Sequence, residues 1–204
     1  MPVLSEREPH PRARRGRGRR PAAEVRADVL AAANALLLSE GMGGFTIEGV
    51  ADGAGVSKTT IYKWWSSKGA LALDGYLSAA PCTPAFPDSG DIAADLTAQL
   101  GAFVRQVTGT AVGRVLVELV GQAQTDPALC EAFLERYTGP RRRLAAEAVR
   151  RAQGRGQLRL DADPEAIVDQ LWGACYYRLL LPHGPLTEDF AAALVKDLLR
   201  GVRA

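Results

Sequence analysis

Between Ser57 and Trp64 the chain reads S-K-T-T-I-Y-K-W. Lys58, Thr59, Thr60, Tyr62 and Lys63 donate hydrogen bonds or offer a methyl group, and none of them is acidic. Base edges and phosphates in a DNA major groove call for that mixture. Other chemistries are poorly supplied. The two histidines are His10, in an Arg- and Pro-rich stretch, and His183, in a P-H-G-P loop. Nothing marks a partner that would make either a Ser-His-Asp or Cys-His site. There is no Walker-type loop and no G-x-G-x-x-G after a strand. Cys82, Cys130 and Cys175 are odd in number and lack C-x-x-C spacing, which argues against a disulfide framework or zinc site and for a reducing cytoplasm. Asp161 and Asp163 resemble a metal pair, but Asp163 before Pro164 is explained more simply as a helix cap. The expectation is a protein that is not an enzyme and holds no metal or cofactor.

Two short helices joined by a tight turn would present those side chains. Ile47, Val50, Ala51 and Ala54 are spaced as one apolar helical face. Gly55 can take a positive φ cheaply, as a sharp turn requires. Val56 plugs the angle, and Ser57 is placed to cap the second helix, whose buried face would be Ile61 and Trp65. Ala51 must be small, because a long side chain would push the helices apart. The arrangement is a helix-turn-helix. Its bland alternative is an ordinary helical corner, and the capping Ser, turn Gly and unacidic outer face favour the DNA reading. A helix over 21–40, ended by Gly41, would brace the pair through Val29, Leu30, Ala33 and Leu37. Thr46 caps the first helix of the pair, where it and the backbone N–H groups behind it could also hold a phosphate.

The run F-T-I-E-G-V-A-D-G-A-G-V-S-K-T-T-I-Y-K-W-W-S-S-K-G-A-L, 45–71, resembles the DNA-binding domain of TetR-family (tetracycline-repressor-like) transcriptional regulators. The resemblance is specific over about 25–77. It implies an all-helical, homodimeric, ligand-responsive repressor. It also implies that Tyr62 and Lys63 lie near DNA and that Lys68, opening the next helix, meets a phosphate. Trp64 departs from the polar residue often found at its place, and Ser66 from a frequent Pro.

Residues 1–21 hold seven Arg and two Glu, leaving 18 basic and 21 acidic residues in the remainder of a 204-residue chain of net charge +2. A basic tip on a mildly acidic body suits a DNA-binding end separated from a regulatory end. Residues 1–20 are expected to form a disordered basic arm, with Arg17, Arg19 and Arg20 reaching along phosphates or into a minor groove. The helix-turn-helix domain is expected over 21–80, a Pro-rich loop over 81–90, and a larger helical ligand-binding and dimerisation domain over 91–204. No stretch approaches the roughly 18 apolar residues of a membrane span, and no signal-peptide core begins the chain.

In the second part, Asp126-Pro127 and Asp163-Pro164 are matched helix starts, and Gly139-Pro140 should kink or break a helix. Arg141, Arg142, Arg143, Arg150, Arg151 and Arg155 read as a solvated face rather than a second nucleic-acid surface. The helix over 164–181 carries an apolar stripe wider than one neighbour needs. A symmetric four-helix dimer would cover it, and a chain closing its own core is the alternative. Candidate pocket residues are Phe103, Phe133, Trp172, Tyr176 and Tyr177, with Gln122 and Arg178 as polar contacts; each is otherwise plain core. The leading expectation is a homodimeric repressor on a near-palindromic double-stranded operator, released by an unknown small-molecule effector. The alternative is a DNA-binding regulator controlled by a protein partner or by thiol oxidation at Cys82.

Overall fold

The computed structural model describes residues 20–79 and 85–202. Its helices are α1 Ala22–Gly44, α2 Ile47–Ala54, α3 Lys58–Tyr62, α4 Lys68–Ala79, α5 Ile92–Val107, α6 Ala111–Ala123, α7 Pro127–Phe133, α8 Gly139–Gly154, α9 Pro164–Leu180 and α10 Glu188–Val202. A π turn, Leu134–Thr138, joins α7 to α8. The fold is all-α: α2 and α3 form an N-terminal helix-turn-helix backed by α1, and a larger helical part follows. Arg17, Arg19, Cys82 and His10 lie outside the described residues.

Short polar side chains begin the helices as their types dictate. Thr46, Ser57, Ser67, Asp91, Asp126 and Asp163 each accept a hydrogen bond from a backbone N–H of the following turn. Each satisfies a donor the helix leaves open, for about 1 kcal/mol. Gly41 leaves helical geometry, at φ 65° and ψ −173°, where the sequence predicts a stop. One further turn follows before the chain straightens at Phe45. The Met42 N–H freed at this break donates to Glu118 of α6 over 2.6 Å.

The Gly139-Pro140 pair does not end its helix. The backbone widens, and the Gly139 N–H reaches the Leu134 carbonyl five residues back. A widened turn lets a helix pass a residue that lacks an N–H. From α7 to α8 the chain therefore runs as one bent rod.

Val29, Ala33 and Leu37 of α1 are buried with Leu71, Ala72 and Leu73 of α4, so α4 is held against α1, the helix that backs the helix-turn-helix. In the second part α5 packs on α10 and α8 on α9. Most of the arginine row is spent between elements. Arg142 pairs with Glu165 and Asp169, Arg150 with Glu165, and Arg151 and Arg155 with Asp88. Asp161 pairs with Arg159 over 3.1 Å. No group of three potential metal ligands occurs among the described residues. No helix among them is long and apolar enough to cross a membrane.

Candidate DNA-reading head and effector cavity

The turn between α2 and α3 is built on Gly55, left-handed at φ 64° and ψ 38°. The Val56 N–H closes it by donating to the Ala51 carbonyl over 2.9 Å. Ala51 is buried there, with Ile61 and Trp65 beneath α3. The helix is shorter than its apolar spacing suggests: it ends at Tyr62, Lys63 caps it, and Trp65 is buried from the turn that follows.

The outer side chains fall into two groups. Thr59, Tyr62, Lys63 and Trp64 are exposed, Tyr62 at 55% and Trp64 at 37%. Trp64 stands edge-on against Trp65, centroids 5.7 Å apart. The second group is already engaged. Ser57 Oγ accepts from the Thr60 N–H and lies 3.0 Å from Thr60 Oγ1, so both hydroxyls serve the cap. Thr46 Oγ1 likewise accepts from the Gly49 N–H. Lys58 Nζ donates to Glu48 of α2 over 2.7 Å. That hydrogen bond holds the lysine above its ordinary range and the Glu48 carboxyl below the usual carboxylate range. The unacidic face thus has an acid at its edge, which the spacing of 57–64 alone does not reveal. Lys68 Nζ donates to the Met42 carbonyl over 3.0 Å. Arg20 pairs with Asp28 on α1.

Behind the head lies a junction that sequence reading missed. Asp74 of α4 is buried, and one of its oxygens accepts from Trp65 Nε1 at 2.8 Å and from Arg26 Nη2 at 3.3 Å. Its other oxygen ion-pairs with Arg136 in the π turn. A buried carboxylate is stable only when so paired. One side chain therefore joins the base of α3, helix α1 and the bent rod of the second part. Asp74 falls within an otherwise apolar helical stretch, and that misfit was the available signal.

A cavity of about 440 Å³ lies among α5, the π turn, α8 and α9. Of the candidate pocket residues, Phe103, Trp172 and Tyr176 border it, the Phe103 and Tyr176 rings 5.3 Å apart. The other four candidates lie elsewhere. Gln122 is exposed on α6. Phe133 is buried against Tyr137, centroids 4.9 Å apart, beneath the cavity wall. Tyr177 is 58% exposed and stacks on His183. Arg178 lies over the Phe190 ring at 3.5 Å and donates to the Pro185 carbonyl. In their place stand Gln99 and Gln106 of α5, Tyr137 and Thr138 of the π turn, Arg141 and Arg142 of α8, and Asp169 of α9. Tyr137, Arg141 and Ala145 are spaced at four, which would have marked this face. Burial pushes the Tyr76 and Tyr176 hydroxyls above the ordinary tyrosine range.

A capped two-helix corner with an exposed polar edge, carried on a helical body, is the architecture of a DNA-binding transcriptional regulator. Comparison with known proteins supplies the family. Residues 29–74 match the model of bacterial regulatory proteins of the tetR family, and residues 86–198 match the tetracyclin repressor-like C-terminal domain. The chain is 35% identical over 176 residues to the uncharacterised HTH-type transcriptional regulator YdeS of Bacillus subtilis, covering 86% of this chain and 88% of that one. It is 32% identical to the DNA-binding transcriptional repressor TetR of Mycobacteroides abscessus, over 85% of this chain and 90% of that one. The crystal structure of the TetR family transcription regulator SCO0332 superposes with a TM-score of 0.76 at 56% identity, covering 89% of this chain and all of that one. The chain belongs to the TetR family of transcriptional regulators, which are DNA-binding proteins and not enzymes.

Proposed function

We propose that the protein is a cytoplasmic, homodimeric repressor that a small molecule releases from a near-palindromic operator. Each subunit offers residues 57–64 to one half-site. Tyr62, Lys63, Thr59 and Trp64 contact bases or nearby phosphates, while Ser57, Thr60 and Thr46 chiefly hold the helix starts that bring backbone N–H groups to the phosphates. Lys58 and Lys68 exchange their present partners for phosphate oxygens. Domain limits of 21–80 and 91–204 fit this division of labour. Dimerisation uses α9 and α10, whose outer sides carry Tyr177 and Leu180 exposed and Leu194 and Leu198 half-buried, with exposed Leu181 just past the end of α9. Two such pairs make a four-helix interface.

The observation that carries the switching mechanism is the Trp65–Asp74–Arg136 junction. The π turn that supplies Arg136 also supplies Tyr137 and Thr138 to the cavity wall. A ligand that shifts this turn acts through Asp74 on the base of the reading helix. It need only prefer the DNA-free arrangement; about 5.5 kcal/mol of preference swings a balance from 99:1 to 1:99. The test is anisotropy on operator DNA with the wild-type chain and Arg136→Gln, against a panel of small molecules found by thermal shift. The reading expects compounds that weaken wild-type binding and leave the variant's binding far less changed. Equal release of both proteins contradicts the route.

A further inference from the structure

We propose that the cavity takes a flat, largely apolar molecule bearing one anionic group, a carboxylate or phenolate, and that Arg141 receives the anion. This rests on the reading of the cavity as the effector site. The walls set the apolar part: Phe103, Tyr176 and Trp172 border a space of about 440 Å³, enough for two or three fused rings.

The charges set the rest. Gln99, Gln106 and Thr138 are neutral. Arg142 and Asp169 both border the cavity but satisfy each other, and Glu165 adds a second carboxylate to Arg142. Arg141 is different. It is half-buried, its guanidinium carbon 3.8 Å from the Tyr137 ring centroid. Among the described residues it meets one acceptor, the Tyr137 carbonyl at 3.0 Å, and it has no carboxylate partner. A guanidinium carries five N–H donors in a fork that matches a carboxylate. The cavity therefore holds one uncompensated positive charge against an aromatic wall. A cationic ligand is disfavoured, because the Tyr137 face is already taken by a cation that would repel it. A neutral ligand leaves the guanidinium unpaired in a drier site. Arg141 lies one turn beyond Tyr137, so an anion drawn onto it pulls on the stretch that holds Arg136.

The experiment compares three probes on one ring system with the purified full-length chain: 2-naphthoate, 2-naphthamide and 2-naphthylmethylammonium, by calorimetry up to millimolar concentration. The wild type should bind the acid about ten-fold or more tighter than the amide, as a charge-assisted pair provides, and the amine most weakly. Arg141→Gln should bring acid and amide within about two-fold of each other, and Arg141→Lys should keep part of the preference. Equal wild-type binding of acid and amide overturns the anion assignment while leaving a ligand site in place. So does an acid preference that survives Arg141→Gln. If Arg141→Gln loses the amide too, Arg141→Lys decides: a retained acid preference supports the assignment and a lost one overturns it. Binding of none of the three by the wild type contradicts the effector-site reading itself, and the ligand class falls with it.

Discussion

Trp65 Nε1 donates a 2.8 Å hydrogen bond to the Asp74 carboxylate, tying the end of the reading head to the helix that leaves it. Trp65→Phe keeps one aromatic ring but loses the donor and the second ring of a buried indole, so it should cost about 2–4 kcal/mol in urea unfolding. Asp74→Asn also loses the charge facing Arg26 and Arg136 and should cost about 1–3 kcal/mol. The two changes share one hydrogen bond, so the double variant should lose less than their sum. Strict additivity would show that the carboxylate's charge adds nothing to the bond, since Asn still offers an acceptor oxygen.

Ala51 is buried where α2 and α3 meet, and its carbonyl closes the turn. Ala51→Leu adds three carbons to a space with no room for them. Stability should fall by about 1–3 kcal/mol. DNA affinity should fall well beyond the unfolded fraction, because α3 is tilted away from its seat. Comparing thermal melts with gel-shift titrations at a temperature where the variant is folded separates the two effects.

Glu48 holds Lys58 at the edge of the head. Glu48→Gln removes a negative charge and frees that lysine for phosphate. Affinity for duplex DNA should rise with little change in the slope of log K against log salt, because Lys58 meets phosphate in both proteins, whereas Lys58→Gln should flatten that slope by about one unit. An unchanged slope in Lys58→Gln would mean that Lys58 meets no phosphate.

Burial pushes the Cys175 thiol up to about 11. Since the thiolate is the reactive form, Cys175 should resist iodoacetamide at pH 8 in the native protein and label promptly in urea. Mass spectrometry of the labelled peptides reads this directly. Prompt native labelling would place Cys175 nearer solvent than its burial indicates.

Much of this molecule can be read from the chain because its local signals agree. Gly55, Ser57 and the stripe of Ile47, Val50, Ala51 and Ala54 define the corner unaided, and Asp-Pro pairs mark the starts of α7 and α9. Reading failed where the outcome depends on partners distant in sequence. Asp74 gives no hint that Trp65, Arg26 and Arg136 will converge on it. The π turn is a compromise between a continuing helix and Pro140, and the Gly139-Pro140 pair suggests a kink or a break without saying which. The wide stripe of α9 was legible, but not its division: Trp172 and Tyr176 line the cavity, while Tyr177 and Leu180 point outward. Arg178 and Arg141 are alike in sequence, and only packing separates them, one over Phe190 and the other at the cavity wall.

The central claim is that residues 57–64 read duplex DNA. Footprinting on the DNA flanking the protein's own gene tests it, with wild type beside a Tyr62→Ala/Lys63→Ala double variant. Both side chains are exposed, so the variant should fold normally. The account predicts that wild type protects two half-sites about 34–36 Å apart, or a multiple of that, and that the variant loses protection at salt concentrations where wild type holds. A double variant that protects the same bases with the same affinity would contradict it.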